Sequence, residues 1–116
     1  MKETKLKIFE IVGSTAAVST DAGQQIFKLL DKAFQNHISA ILDFQGIKLM
    51  TSAFLNAAIG QLYSKYNSDE LQTLIKLENI SNQDKLLIKK VVDSAKEYFS
   101  NQEKMDKIID QSLNND

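Results

Sequence analysis

The chain contains no cysteine, no proline and no arginine. The absence of cysteine excludes disulfide bonds and thiolate nucleophiles, and with them most structural zinc sites. The absence of arginine removes the planar side chain that pairs with phosphates and guanine edges, while 14 lysines against 15 acidic residues give a net charge of −1. The composition therefore argues against a nucleic-acid-binding protein and against a disulfide-stabilised one.

Long apolar runs are missing as well. No stretch approaches the roughly 20 apolar residues that a membrane helix needs. The charged residues 1–5 are not followed by the apolar segment of a secretory signal. We therefore expect no membrane association and a cytoplasmic location.

Apolar periodicity predicts a chain of alternating strands and helices. Strands are predicted within residues 6–12, 40–42 and 73–78, and helices over residues 20–37, from 52 to about 66, and from Ser81 or Asn82 onwards. This order is typical of one α/β domain with right-handed crossovers. We expect the domain to occupy residues 1–100, followed by a C-terminal amphipathic helical extension over residues 101–116 with a frayed end. The extension either continues the last helix or forms a separate one.

Residues 40–62 form the centre of the predicted fold. The apolar run at residues 40–42 ends at Asp43 and is typical of a strand buried on both faces. An apolar stripe with three-and-four spacing follows Ser52, which predicts a helix with Ser52 as its N-cap. The stripe consists of Phe54, Leu55, Ala58, Ile59 and Leu62. Gly60 inside this helix predicts that another backbone passes close by.

This stretch resembles the core of the STAS domain, the fold of bacterial anti-sigma-factor antagonists. In that fold, a strand ending in Leu-Asp leads through an apolar loop to Asp-Ser-Ser-Gly-Leu at the start of a helix. Leu42 and Asp43 match the strand end, residues 47–50 the loop, Ser52 the first serine and Leu55 the leucine.

The remaining motif positions differ, since the aspartate, the second serine and the glycine are replaced by Thr51, Ala53 and Phe54. The chain is more similar to a group of uncharacterised bacterial STAS-like domains. Their pattern is matched by Asp-Phe-Gln-Gly-Ile at residues 43–47, Ser-Ala-Phe at residues 52–54 and Gly-Gln-Leu at residues 60–62.

The resemblance implies an α/β fold with a small mixed β-sheet whose helices pack mainly on one face. It also implies a non-enzymatic regulatory role, in which the domain docks on a partner protein such as a histidine-kinase-type ATPase through the loop and helix start at residues 50–56. The residues expected at this contact are Asp43, Met50, Thr51, Ser52, Phe54, Leu55 and Asn56.

Several of these residues have more than one interpretation. Ser52 is either a structural cap or a phosphoacceptor, with Thr51 as the alternative acceptor; phosphorylation would add about −2 charge. Asp43 accepts hydrogen bonds from the turn that follows it, orients the hydroxyl, or holds a metal near a partner's nucleotide. Phe54 belongs to the core or is an exposed anchor for a partner.

Candidate catalytic residues are sparse. His37 is the only histidine, and the sequence has neither a glycine-rich phosphate loop nor a serine-histidine-acid pattern. We therefore expect no enzymatic activity, no cofactor and no metal. Two other functions stay open. One is an assembly module in which residues 105–113 pair protomers, for example into a homodimer, or dock a larger complex; the other is a nucleotide-binding module, which the resemblance to STAS domains also suggests.

Overall fold

The computed structural model describes the backbone of residues 2–114 and the side chains of residues 2–100. The strands are β1 (Lys2–Lys7), β2 (Ala16–Ala17), β3 (Ile38–Asp43), β4 (Leu49–Met50) and β5 (Ile75–Glu78). The helices are α1 (Ile8–Val12), α2 (Thr20–Gln35), α3 (Ser52–Ala58), α4 (Ser68–Leu74) and α5 (Asn82–Asn114), with a 3₁₀ helix at Gly60–Ser64 between α3 and α4.

The strands form two small parallel sheets. One sheet has the order β1-β3-β5, and the other pairs β2 with β4. The predicted α/β class is confirmed, whereas the expectation of a mixed sheet is wrong, because every pairing among the described strands is parallel. The physical reason is that helices connect the paired strands and return the chain in the same direction.

The two faces of the three-stranded sheet differ in chemistry. On one face Ala40 and Leu42 are almost completely buried beneath helices, as expected. The opposite face carries alternating charges of β1 and β5, including an ion pair of 2.9 Å between Lys5 Nζ and Glu78 Oε2. On this face Ile41 of β3 is only half-buried, between Lys5 and Lys76. The prediction that this strand is buried on both faces is therefore wrong, because helices cover only one side of the sheet.

Helices α2 and α3 pack in close contact at Gly23. A Cβ atom at this position would lie against the carbonyl oxygen of Phe54 and 2.7 Å from the Cβ of Ala57. The close backbone approach predicted at Gly60 is therefore found at Gly23. At Gly60 the nearest atoms belong to side chains, with Asn56 Oδ1 at 3.3 Å.

The first predicted strand ends earlier than expected. Strand β1 stops at Lys7, and residues from Ile8 form helix α1. Ile8, Ile11 and Val12 have helical spacing and pack together into the core. Gly13, with φ of 76°, ends this helix and donates its N–H to the Phe9 carbonyl.

Two later elements also differ from prediction. The helix expected at residues 52–66 ends at Ala58 and continues as a separate 3₁₀ helix. The strand expected at residues 73–78 begins only at Ile75, because helix α4, capped by Asn67, occupies the chain up to Leu74. The Asn67 side-chain oxygen accepts the Glu70 N–H at 2.8 Å.

The last helix begins at Asn82 as predicted, and the Ser81 hydroxyl accepts the Asp84 N–H at 3.1 Å. Helix α5 continues without interruption past residue 101, where the extension was predicted to begin. The predicted apolar stripe at residues 105–113 and the frayed end lie outside the side chains that the structure describes. Within the described part of the chain, no helix combines the length and the apolar character needed to cross a bilayer.

Candidate functional site

Asp43 closes the carboxyl end of strands β3 and β5. Its side chain is buried, and Oδ1 accepts hydrogen bonds from Asn79 Nδ2 at 2.8 Å and from the Gln45 N–H at 3.0 Å. The bond from Asn79, followed by that from Gln45, holds the pKa of Asp43 below its ordinary value. Asn79 adopts a left-handed backbone with φ of 55°. These contacts agree with the turn interpretation of Asp43.

The other two interpretations of Asp43 gain no support. Among the described residues, Asp43 makes no hydrogen bond to Thr51 or Ser52. The Asp43 Oδ1 atom links β3 to the turn after β5. Asp43 therefore stabilises the part of the fold that positions the start of helix α3.

Thr51, and not Ser52, is the N-cap of helix α3. The Thr51 Oγ1 accepts the Phe54 N–H at 3.3 Å and donates to the Val18 carbonyl at 2.9 Å. Thr51 has an extended backbone, whereas Ser52 is the first helical residue, so only Thr51 has the geometry of a cap. The Thr51 N–H also donates to the Ala17 carbonyl at 3.2 Å, which fixes the helix start against β2.

Ser52 presents the accessible hydroxyl of this pair. Its side chain is exposed, and among the described residues its hydroxyl makes no hydrogen bond to protein. Phosphorylation of Thr51 would remove the hydrogen bond that its hydroxyl donates to the Val18 carbonyl, whereas phosphorylation of Ser52 would break none. Of the two predicted phosphoacceptors, Ser52 is the one that the geometry favours, and its phosphorylation stays a prediction.

Four of the predicted contact residues are buried. Asp43, exposed by 4%, is held in the turn described above and is not available to a partner. Met50, Phe54 and Leu55 are exposed by 7%, 1% and 0% respectively, so their side chains cannot reach a partner in this conformation. Their assignment to the contact surface is corrected, because the apolar stripe of α3 is used for the core. Asn56, one turn after Ser52, is exposed.

An exposed apolar surface missed by the sequence analysis lies beside Ser52. Leu49, Phe9 and Val18 are exposed by 58%, 42% and 38%; we call these three residues the apolar edge. Leu49 pairs with Ala16 in the β2–β4 sheet, and in parallel register Val18 follows on the same face as Ala16.

Phe9 completes the apolar edge from helix α1. Its ring lies against the turn before β4, where a Cβ at Gly46 would be 3.2 Å from Phe9 Cδ2. The signal that could have found this surface is the alternation of Leu49 and Met50, since adjacent strand residues point to opposite faces.

A second polar cluster, also missed, joins helix α2 to the end of the 3₁₀ helix. Asp31 accepts hydrogen bonds of 2.8 Å from both Lys65 Nζ and the Tyr66 hydroxyl, and these bonds, Lys65 first, lower the pKa of Asp31. Burial and the Asp31 carboxylate raise the pKa of Tyr66 to about 12. The Tyr66 ring packs edge-to-face on Phe34. This cluster links helix α2 to the residues that follow the 3₁₀ helix.

The chain matches the profile of a known protein family. The profile of the family described as STAS-like domain of unknown function (DUF4325) matches residues 22–85, which is more than half of the chain. This range includes β3, β4, α3 and Ser52. None of the curated proteins and none of the solved structures compared with the chain matches it.

Proposed function

Since the chain belongs to this family of STAS-like domains, we propose that it is a regulatory protein-binding domain without catalytic activity of its own. Its contact surface is the apolar edge together with Ser52. The observation that carries the proposal is the exposure of Leu49, at 58%, next to a helix start whose hydroxyl is accessible.

The apolar edge supports docking because two of its members, Val18 and Leu49, lie at the start of helix α3. The Thr51 hydroxyl is bonded to the Val18 carbonyl, and Leu49 precedes Thr51 by two residues on the paired strand. Val18 and Leu49 therefore flank Thr51, the N-cap of α3. Large apolar side chains gathered around one polar group are typical of protein contact surfaces.

The partner class that we propose is a histidine-kinase-type ATPase of the anti-sigma-factor kind. In this proposal the Ser52 hydroxyl attacks the γ-phosphorus of the partner's ATP, the bond between this phosphorus and the ADP oxygen breaks, and the hydroxyl proton passes to solvent. The product carries about −2 charge beside Val18 and Leu49. A charged group there opposes the burial of these apolar side chains, so phosphorylation releases the partner.

The experiment uses the full chain and the ATPase encoded beside its gene. We expect one added phosphate by intact mass after incubation with ATP, and none in Ser52→Ala. Titration without ATP should show that Leu49→Lys weakens binding at least tenfold. The matched control is Leu86→Lys, because Leu86 is even more exposed, at 69%, and lies on α5.

Two results would contradict the proposal. An unmodified chain after prolonged incubation with the ATPase and ATP removes the phosphorylation step. The ATPase could also bind the original chain, Leu49→Lys and Leu86→Lys with equal affinity. In that case the apolar edge is not the contact surface.

A further inference from the structure

Strand β5 forms one edge of the three-stranded sheet. Among the strands that the structure describes, it pairs only with β3. The Phe44 N–H donates to the Glu78 carbonyl at 3.0 Å, so the backbone groups of Glu78 point towards β3. Because these groups alternate in direction along a strand, the N–H and the carbonyl of Leu77 point away from β3. Strand β5 therefore presents a backbone donor and a backbone acceptor at the outer edge of the sheet.

The helices leave this edge partly uncovered. Leu77 is in register with Leu42 of β3, so its side chain lies on the face of the sheet that the helices cover. Leu42 is 1% exposed, whereas Leu77 is 37% exposed. The helices thus cover the middle of the sheet and leave the apolar side chain at its edge partly in solvent. An exposed apolar residue on an edge strand favours pairing with another chain.

The opposite edge of the sheet, strand β1, has a different charge pattern. Its six residues include three lysines and one glutamate. Like charges directly opposite each other destabilise a strand pair, and lysines on an edge strand commonly prevent association. Strand β5 has one lysine and one glutamate in four residues. Of the two edges, β5 is therefore the one whose charge allows it to pair with a copy of itself.

The order of residues in β5 is complementary to itself. In an antiparallel pair with a two-fold axis at Leu77, Lys76 of each copy lies directly opposite Glu78 of the other. The N–H of Leu77 in each copy then donates to the Leu77 carbonyl of the other copy. The two Leu77 side chains meet on the face that carries the helices. One arrangement thus satisfies the outward backbone groups, the two charges and the exposed leucine.

The two charges are accessible for such a contact. Lys76 Nζ lies 3.4 Å from Glu3 Oε2, and Glu78 Oε2 lies 2.9 Å from Lys5 Nζ. The side chains of Lys76 and Glu78 are nevertheless 69% and 42% exposed. An ammonium has three donors and a carboxylate has two oxygens, so each group can take a further partner.

From these observations we infer that two copies of this chain associate by antiparallel pairing of their β5 strands. The pairing joins two three-stranded sheets into one sheet of six strands. The occupant of the edge is a second copy because the sequence Lys76-Leu77-Glu78 matches itself in charge across the two-fold axis. The inference is independent of the proposed function, since β5 includes neither Ser52 nor any residue of the apolar edge.

Reversal of the two charges tests the assignment in the full chain. Sedimentation equilibrium should show a monomer and a dimer at concentrations up to about 1 mM. Lys76→Glu and Glu78→Lys, each alone, should raise the dissociation constant at least tenfold, because like charges then lie opposite each other. An equimolar mixture of the two variants should associate again, since every reversed charge meets its opposite. Mixing does not restore the ion pairs within each chain, so the recovery reports the interface alone.

Two further variants place the contact on the strand. Leu77→Lys should weaken the dimer at least tenfold, because two lysines then meet at the two-fold axis. The matched control is Leu86→Lys, which adds the same charge at an exposed leucine of α5 and should leave the dissociation constant unchanged. Circular dichroism of each variant checks that the fold is retained.

Three results would overturn the inference. One is a chain that stays monomeric up to about 1 mM. Another is a dimer that both single charge reversals leave intact, or a pair of weakened variants that mixing does not restore. The third is a monomer whose β5 edge instead binds an extended segment of another protein.

Amide hydrogen exchange gives a measurement on the original chain. The Leu77 amide should exchange more slowly at high than at low protein concentration, because it is hydrogen-bonded across the dimer. The matched control is the Lys76 amide, which points towards β3 and should exchange at the same rate at both concentrations. A Leu77 amide whose exchange does not depend on concentration while a dimer forms would assign the dimer contact to another surface.

Discussion

Helix α3 has a closed side and an open side. On the closed side α2 lies so near that Gly23 has no space for a methyl group, and Asp43 fastens the neighbouring strand ends. On the open side Leu49 and Ser52 are exposed at the start of the helix. Binding residues are commonly placed on loops that a rigid scaffold positions. Substitutions on the closed side should therefore change stability, and those on the open side should change binding.

The largest expected effect is at Gly23. Gly23→Ala should lower the free energy of unfolding by roughly 2 kcal/mol, because overpacking against Phe54 and Ala57 outweighs the gain in helix propensity of about 1 kcal/mol. Urea denaturation measures the change. Gly13→Ala is the control: Gly13 has open space around it but a left-handed φ of 76°, so its loss should be smaller. A stabilised Gly23→Ala protein would show that the two helices are not in close contact.

The next effect is the loss of the Asp43 hydrogen bonds. Asp43→Ala should cost about 2 kcal/mol at neutral pH, since the Asn79 amide and the Gln45 N–H lose their acceptor. Thermal unfolding at fixed pH measures it. Binding to the partner should be reduced only through the loss of folded protein, which distinguishes Asp43 from Leu49.

The same carboxylate gives stability a dependence on pH. The pKa of Asp43 is lower in the folded protein than its ordinary value, so its contribution is complete above about pH 4 and is lost as pH falls through the folded pKa. Asn79→Gly keeps the left-handed backbone and removes the main cause of the shift. Because the folded pKa of Asp43 then lies closer to its ordinary value, we expect stability to fall by less on acidification in Asn79→Gly, with the decline ending at a higher pH; identical acid profiles would contradict the role of this bond.

A smaller effect on stability distinguishes the hydroxyl of Thr51 from that of Ser52. Thr51→Ala should cost about 1 kcal/mol because the cap of α3 and the bond to Val18 are lost. Ser52→Ala should change stability by less than about 0.5 kcal/mol. Chemical denaturation of both variants, with Thr51→Ser as the rescue, measures the difference. Equal losses would mean that Ser52 shares the capping role.

The smallest expected change in stability is on the apolar edge. Leu49→Lys should alter the free energy of unfolding by less than about 0.5 kcal/mol, because most of the side chain is already in solvent. The same variant should lose partner binding, as described above. If Leu49→Lys instead unfolds the protein, Leu49 contributes to stability like the residues on the closed side of α3. The distinction between a stabilising side and a binding side would then be wrong.

Several features of the fold could be predicted from the sequence. The apolar run before Asp43 and the long stripes of α2 and α5 identified a central strand and two helices, because many residues repeat one period in each. The motif around residues 43–62 indicated a STAS-like domain, and the family match confirms it. The turn role of Asp43 was among the predicted alternatives, since Asx side chains commonly bond the amide two residues later.

The candidate contact surface was only partly predictable. Of the predicted contact residues, Ser52 and Asn56 are exposed, whereas Asp43, Met50, Phe54 and Leu55 are buried. A two-residue strand such as Leu49–Met50 has too few positions to show which face is inward. Its orientation depends on pairing with Ala16–Ala17, more than thirty residues earlier.

What the sequence by itself determined is the order of the long elements and the family, since local periodicity and a contiguous motif carry both. Only the tertiary structure decided which hydroxyl caps α3, which of two adjacent apolar residues faces solvent, and which glycine lies between helices. Each of these depends on a contact between segments distant in the chain: Val18 with Thr51, Ala16 with Leu49, and Gly23 with Ala57. Neighbouring residues alone do not encode such contacts, because their geometry arises when the elements pack together.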